Sequence, residues 1–191
     1  MIKEEFFPTI IYGFDVPNAP QLNPQLEKDI LEWSQRDKGV KKTNVQGWHS
    51  QTDMQTKPEY KPLVDQLFLA MKQVWEDQHL EREIVLGNMW ANINPPGGYN
   101  NSHIHPNSLF SGVYYIKGQL NSGRLGLMDP RPGAQQCMPN RKKGKLPREL
   151  WRETYYDPIP GRLIMFPSWM WHKVEPNKSN DIRISVSFNF I

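Results

Sequence analysis

Three histidines are spaced along this chain in a way that suits a metal site. His103 and His105 lie two residues apart, at the start of a segment with strong β character. In a strand, side chains two residues apart point to the same face, so both rings could bind one ion. His172 follows a later β-like run and could complete the set from another strand. Because neutral imidazole is a common metal ligand, the pattern predicts a three-histidine metal centre.

One arginine stands in an apolar strand and needs an anionic partner. Arg183 lies within the alternating run of residues 182–190, which predicts a strand with one buried face. Burying a guanidinium is unfavourable unless an anion pairs with it, and a carboxylate fits its planar donors well. An ion pair with Asp157, Asp181 or Glu175 is the alternative. We favour an acidic cosubstrate because the strand is apolar.

Other polar side chains are weaker candidates. Tyr115 is one of two adjacent tyrosines, and the alternation of a strand turns one of them inward. Asp129 could supply a carboxylate from a neighbouring strand, but Asp-Pro is also a common turn starter, and we favour the turn. Arg131 could face the site or pair with Asp129. His49 and His79 are interpreted as structural or surface histidines.

Composition and charge describe a folded protein without nucleic-acid or membrane features. The chain has 191 residues and a net charge of only +3, and the one basic cluster, residues 141–145, predicts a solvated loop. There is no apolar run of about 20 residues and no signal-peptide pattern at the start. The single cysteine, Cys137, agrees with a reducing cytoplasm, that of the host cell if the protein is viral. A homodimer stays open as an assembly.

Helical periodicity is confined to the first part of the chain. A loosely alternating run at residues 6–16 predicts a strand, and helices are predicted at 24–37, with Asn23 as N-cap and Pro24 at its first position, and at 58–79. From residue 84 onward the chain consists of short β-like runs. These predicted strands are 84–93, 102–105, 110–116, 124–128, 162–166, 172–174 and 182–190.

This order of elements predicts one domain, residues 1–191, that is mainly β with flanking helices. Residues 1–83 supply a strand and the two helices, and residues 84–191 form the β core. Seven or eight strands after two helices are typical of a β-sandwich or jelly roll with the helices packed outside one sheet.

The ordered motifs resemble the iron(II)- and 2-oxoglutarate-dependent dioxygenases. The pattern begins with the histidine pair at 103–105 and continues through a Tyr-Tyr strand. It then runs through Gly-x-Leu-x-x-Phe-Pro-x-x-x-x-His, which ends at His172, to Arg183-x-Ser185. The likeness covers about residues 84–191 and is greatest for the prolyl-hydroxylase-like branch with its small bacterial and phage members. It implies a double-stranded β-helix, which is a jelly-roll variant.

The resemblance also implies cofactors and a role for each motif. Iron(II) would be bound by His103 and His172, with His105 at the position of the family's carboxylate ligand. The residues assigned to 2-oxoglutarate are Arg183, Tyr115 and Ser185. With O₂, such a site would hydroxylate an unidentified primary substrate, either a protein side chain or a small metabolite.

His105 is the one departure from the family pattern, which has two histidines and a carboxylate. A third neutral ligand leaves the site one negative charge short. One alternative is therefore a cupin-like three-histidine protein, either a metal binder or a dioxygenase that does not use 2-oxoglutarate and does not need Arg183. Another is a non-enzymatic β-sandwich module that binds a partner through the same strands.

Overall fold

Two antiparallel sheets make up most of the protein. The computed structural model describes residues 1–81, 83, 85–131, 133, 136–137 and 139–191. The main helices are α1 (Ala19–Arg36) and α2 (Lys61–Asp77). The strands are β1 (Tyr12–Asp15), β2 (Asn44–Val45), β3 (Trp48–His49), β4 (Leu86–Asn94), β5 (Tyr99–His103), β6 (Phe110–Lys117), β7 (Leu125–Met128), β8 (Glu153–Tyr156), β9 (Arg162–Pro167), β10 (His172–Val174) and β11 (Arg183–Phe190).

The strand order is that of a jelly roll that is not closed into a barrel. The large sheet has the order β1-β9-β6-β11-β4-β3, and the small sheet has the order β2-β5-β10-β7-β8. Neighbouring strands in both sheets run antiparallel. The predicted mainly β fold, a double-stranded β-helix with flanking helices, is confirmed. The short strands that precede residue 84 extend both sheets.

The large sheet has an apolar outer face and, on β4 and β11, a polar inner face, because successive side chains of a strand point to opposite faces. Its outer face packs with α1 and α2 in the main core, and burial of this apolar area is the principal force that holds the helices in place. The outward residues of β4 and β11 are Met89, Ala91, Ile93, Ile184, Val186, Phe188 and Phe190. The inward residues of the same strands are Asn88, Trp90, Asn92, Asn94, Arg183, Ser185, Ser187 and Asn189.

The first helix begins earlier than its sequence predicts. α1 starts at Ala19 and contains Pro24 in its interior, whereas the pattern placed the start at Pro24. The reason lies in the side chain of Asn23, which makes tertiary contacts instead of capping a helix. Its Nδ2 donates to the carbonyl of Ile116 at 3.1 Å, and the Tyr114 hydroxyl donates to its Oδ1 at 2.6 Å. The helix is thereby tied to β6.

Several strand boundaries also differ from the prediction. β5 ends at His103, so His105 lies just beyond the strand and not within it. β1 is shorter than predicted, and β8 is an additional strand that the sequence analysis did not find. Residue 84, the predicted start of the first core strand, lies outside the described residues. The second helix is preceded by a 3₁₀ turn and ends at Asp77.

Candidate active site

The structure brings the three candidate histidines into one cluster. His103 ends β5 and pairs directly with His172, the first residue of β10, so their ring centroids are 4.2 Å apart. The His105 ring lies 5.0 Å from that of His103 and 4.9 Å from that of His172. One ring nitrogen of each residue lies within 4.8 Å of the others. This spacing allows three nitrogens to converge on one ion.

Two of these rings are oriented by main-chain carbonyls. Nδ1 of His103 contacts the carbonyl of Asn101 at 2.8 Å, and Nδ1 of His172 contacts that of Met170 at 2.9 Å. A carbonyl only accepts hydrogen bonds, so each Nδ1 carries the proton and each Nε2 keeps a free lone pair. This is the tautomer in which a histidine binds metal through Nε2.

The third ring is oriented by side chains. Nδ1 of His105 donates to Oδ1 of Asn189 and lies 3.0 Å from Oγ of Ser111. Its backbone N–H donates to the carbonyl of Ser168 at 3.0 Å. Nε2 of His105 is therefore also left with a lone pair.

Burial keeps all three imidazoles neutral. It lowers the pKa of His172 to about 3 and that of His103 to about 4, and in each case a neighbouring histidine lowers the pKa further. Burial likewise lowers the pKa of His105. Three neutral nitrogen donors with fixed tautomers are suited to a divalent first-row ion such as iron(II), so the residues fit the metal that the motif implies.

The same cavity contains a buried arginine. Arg183 is 1% exposed, and its Nη1 donates to the carbonyls of Ser122 and, at 2.8 Å, Gly123. Burial lowers the pKa of the guanidinium to about 10, although the nearby Tyr115 raises it. The two carbonyls are neutral acceptors and do not balance the positive charge.

The protein carboxylates considered as partners of this arginine are engaged elsewhere or too distant. Glu175 pairs with Arg124 at 2.7 Å, and Asp181 pairs with Lys117 at 3.1 Å. In the part of the chain that the structure describes, no carboxylate oxygen lies within 4 Å of the Arg183 guanidinium. The interpretation of Arg183 as a member of an internal salt bridge is therefore wrong.

Tyr115 and Ser185 stand beside this arginine. Ser185 on β11 is paired in register with Tyr115 on β6, and both face inward. Burial raises the pKa of the Tyr115 hydroxyl to about 12, which the Arg183 charge partly offsets. Tyr115 therefore keeps its proton at neutral pH and can donate a hydrogen bond.

One cavity of about 360 Å³ between the two sheets joins the histidine cluster to the arginine end. Arg183 and Lys42 are its charged lining residues, and no described lining residue is an Asp or a Glu. Val113, Leu125 and Phe166 contribute an apolar wall. The arrangement can hold a metal ion at one end and an anion at the other, with an apolar wall beside them.

Asp129 does not join this site. Its Oδ1 accepts from Nε of Arg131 at 2.9 Å and its Oδ2 from Nη2 at 2.8 Å, and this pairing lowers the pKa of Asp129. It is absent from the three-histidine cluster and from the described lining of the cavity. Arg131 pairs with Asp129 instead of facing the site.

The sequence analysis missed one histidine of the cavity. His49 is buried against the cavity, and its ring stacks on Trp90 with centroids 5.4 Å apart and planes 8° apart. Its interpretation as a structural or surface residue was incomplete, because the two-residue strand β3 pairs with β4 and turns the ring inward. No local periodicity marks so short a strand. The polar inward residues of β4, Asn92 among them, also line the cavity.

A jelly roll whose cavity combines three neutral histidines with a buried arginine can hold a metal ion and an anionic ligand. Residues 88–189, more than half of the chain, match the model of a family described as "Putative 2OG-Fe(II) oxygenase". The chain belongs to this family. It is an oxygenase whose metal is iron(II) and whose cosubstrate is 2-oxoglutarate.

Solved structures with the same fold are distant in sequence. A prolyl-4-hydroxylase from Pseudomonas putida superposes with a TM-score of 0.66 at 13% identity, over 95% of this chain and 92% of that one. The epimerase SnoN, in complex with Fe³⁺, α-ketoglutarate and nogalamycin RO, gives 0.70 at 11%, over 96% and 79%. The viral collagen prolyl hydroxylase vCPH from Paramecium bursaria Chlorella virus-1, in its 2OG complex, gives 0.57 at 14%, over 94% of each chain. These likenesses establish the fold.

Two further searches gave no match. No protein of curated function matches the chain in sequence. Among the helices of the described residues, none is long and apolar enough to cross a membrane.

Proposed function

We propose that His103, His105 and His172 bind the iron(II), and that Arg183 and Tyr115 bind the distal carboxylate of 2-oxoglutarate. Ser185 assists beside Tyr115. The observation that carries the proposal is one cavity lined by three histidines with free Nε2 lone pairs and by a buried arginine that has no carboxylate partner among the described residues.

The reaction we infer is hydroxylation of a C–H bond. When bound, iron(II) and 2-oxoglutarate supply oxidative decarboxylation to succinate and CO₂, coupled to transfer of one oxygen atom of O₂ to the second substrate. The hydroxylase names of the Pseudomonas putida and Chlorella virus structures support this class of reaction. A protein side chain and a small metabolite both stay open as the primary substrate. We place the protein in the cytoplasm, because its single cysteine, exposed Cys137, suits a reducing compartment.

The protein side chains have distinct tasks in this reaction. The three imidazoles fix the position of the ion, because each is already held in one tautomer by its Nδ1 partner. Arg183 orients the cosubstrate through N–H groups that the carbonyls of Ser122 and Gly123 do not occupy. Arg183 is buried beside the apolar wall, and this less polar environment strengthens the attraction between the guanidinium and a carboxylate.

The third histidine makes the site more positive than a two-histidine, one-carboxylate site. Three neutral ligands leave the charge of a divalent ion uncompensated, and the described cavity lining adds Arg183 and Lys42 without an acidic residue. A dianion such as 2-oxoglutarate compensates this charge at both of its ends. The electrostatics therefore favour a 2-oxoglutarate-dependent enzyme over the cupin-like alternative, which has no use for Arg183.

The test is a calorimetric titration of 2-oxoglutarate into the manganese-loaded protein under nitrogen. Wild type should bind, and Arg183→Met should lose cosubstrate binding while its Mn²⁺ affinity stays unchanged. Arg124→Met is a matched control, since Arg124 is paired with Glu175 and does not line the described cavity. Equal binding by wild type and Arg183→Met would remove the 2-oxoglutarate assignment.

A second variant addresses the missing negative charge. If wild type binds Mn²⁺ but not 2-oxoglutarate, a site with three histidine ligands does not bind the cosubstrate, and the assignment is wrong for the native protein. His105→Asp restores the ligand type of the family pattern and should then recover 2-oxoglutarate binding if His105 is the cause.

A further inference from the structure

We propose that Asn189 and Ser111 are positioning residues that hold His105 in the tautomer that binds metal. The inference rests on the proposed function, because it explains how His105 can bind the metal at the position of the family's carboxylate ligand. It concerns side chains to which the motifs described above assign no role.

The three candidate ligands are held in two different ways. His103 and His172 are each fixed by the carbonyl of the residue two positions before them, at 2.8 and 2.9 Å. No substitution of a side chain removes those acceptors. His105 instead depends on Oδ1 of Asn189 and Oγ of Ser111, which come from β11 and β6 of the large sheet.

The amide of Asn189 is itself oriented by its surroundings. Its Nδ2 donates to Oδ1 of Asn88 at 2.8 Å, so its Oδ1 is turned toward His105. The Ser111 hydroxyl also donates to that Oδ1, at 2.7 Å. Asn189 thus presents only an acceptor to the imidazole, and the proton of His105 must lie on Nδ1.

The Ser111 hydroxyl completes the network, because its oxygen shares the Nδ1 proton of His105 with Asn189. Ser111 uses its single proton on Asn189, so in its 2.7 Å contact with Ser168 the Ser168 hydroxyl is the donor. The two lone pairs of Ser111 then accept from Ser168 and from Nδ1 of His105. Ser111 and Ser168 are completely buried, and Asn189 is 6% exposed, so most of this network has little contact with bulk water.

Loss of this network would free the ring to carry its proton on Nε2, where no lone pair remains for a metal. Partners that orient a metal-binding histidine typically contribute about 10–100-fold in metal affinity. We expect Asn189→Leu to weaken Co²⁺ binding by about that factor. Ser111→Ala, which leaves Asn189 in place, should cause a smaller loss.

Asn189→Asp distinguishes orientation from simple packing. The aspartate keeps the acceptor and adds a negative charge that is separated from the metal only by the His105 ring. A carboxylate partner raises the basicity of a histidine ligand. We expect Asn189→Asp to bind Co²⁺ about tenfold more tightly than wild type, whereas a merely structural asparagine would give no gain.

Two measurements test the inference on the full chain. Long-range ¹H–¹⁵N correlation spectra of the metal-free protein report which nitrogen of His105 carries the proton, and Co²⁺ titration reports affinity. His105 should be protonated on Nδ1 in wild type and Asn189→Asp, and shift toward Nε2–H in Asn189→Leu. Matched controls are Asn177→Leu and Ser179→Ala, because this buried asparagine and serine also hydrogen-bond each other, at 2.7 Å, but do not line the described cavity. The controls should retain wild-type affinity.

The outcomes separate the two proposals. If wild type binds no Co²⁺, the three-histidine metal site is wrong and the positioning role falls with it. If wild type binds Co²⁺ and a folded Asn189→Leu keeps both the Nδ1–H tautomer and wild-type affinity, only the positioning role is wrong. Should Asn189→Leu fail to fold, Ser111→Ala and Asn189→Asp still decide: wild-type affinity in both would overturn the inference.

Discussion

The helix-side core and the inter-sheet cavity are built on opposite faces of the same strands. On β11, Val186 and Phe188 point outward and are completely buried among apolar neighbours, whereas Arg183 and Asn189 point inward and are buried among polar groups. Burying apolar side chains stabilises the fold, but burying a charge or an amide is favourable only when partners are supplied. On β11, the outward face therefore contributes mainly to stability, and the inward face carries residues of the candidate site.

Acidification should affect the cavity most strongly and thereby sharpen this contrast. Burial lowers the pKa of His172 to about 3 and that of His103 to about 4, whereas in the unfolded chain both titrate near 6.5. Between these values the unfolded state binds more protons, so the metal-free protein should lose stability as the pH falls from about 6.5 to about 4. Each histidine can contribute a slope of up to about 1.4 kcal/mol per pH unit.

Urea unfolding of the metal-free protein between pH 4 and 7.5 measures this slope. Other groups also titrate in this range, so the informative quantity is the difference between wild type and His172→Asn. The variant should be less sensitive to acid. If the free energy of unfolding of His172→Asn depends on pH as strongly as that of wild type, protonation of His172 does not cause the loss of stability in acid.

Truncation in the apolar layer should affect stability without affecting the site. Phe188 is completely buried, and its ring packs so closely on Gly112 that an added Cβ there would lie 2.3 Å from it. We expect Phe188→Ala to lower the free energy of unfolding by about 3–5 kcal/mol. Co²⁺ affinity of the folded fraction should stay at the wild-type value, and a parallel loss of affinity would break the proposed separation of the two layers.

Metal binding in the cavity should raise the free energy of unfolding. An ion that binds only the native state at 100 times its dissociation constant adds about 2.7 kcal/mol to the free energy of unfolding. We expect this gain with Co²⁺ or Mn²⁺, and its removal with a chelator. Thermal unfolding of His172→Ala is the control, because that variant should show no gain at the same metal concentration.

The smallest effect is expected from a polar side chain that neither packs in the core nor contacts a histidine. Ser187 lies between Val186 and Phe188 on β11, is half-buried, and accepts one hydrogen bond from Asn92 at 3.2 Å. Ser187→Ala should change the free energy of unfolding by less than about 1 kcal/mol. A loss comparable to that of Phe188→Ala in the same denaturant series would contradict the comparison.

Long, strongly periodic segments were predictable from the sequence because their burial pattern is local. The alternating run that became β11 and the helical spacing that became α2 were both found, with boundaries shifted by a few residues. Short or weakly apolar strands such as β3 and β8 were not found, since pairing with a distant strand and not a local pattern defines them.

The candidate site was predicted in part. His103, His105, His172 and Arg183 do share one cavity, although the reason given for the first pair was incomplete, because His105 lies beyond the end of β5. The contact between His105 and Asn189 joins residues far apart in sequence. A short polar side chain on a strand gives no local sign of such a partner, so the network around His105 and the inward position of His49 required the three-dimensional structure.

The candidate metal ligands are connected to both sheets, and this has a mechanical consequence. His103 and His172 belong to strands of the small sheet, whereas the side chain of His105 is bonded to Asn189 and Ser111 of the large sheet. Three rings that share one ion would therefore link the small sheet to the large sheet. The spacing between the two sheets and the metal affinity would then be coupled. A substrate that moves the sheets apart would weaken metal binding, and a bound metal would limit the size of the substrate that fits between the sheets.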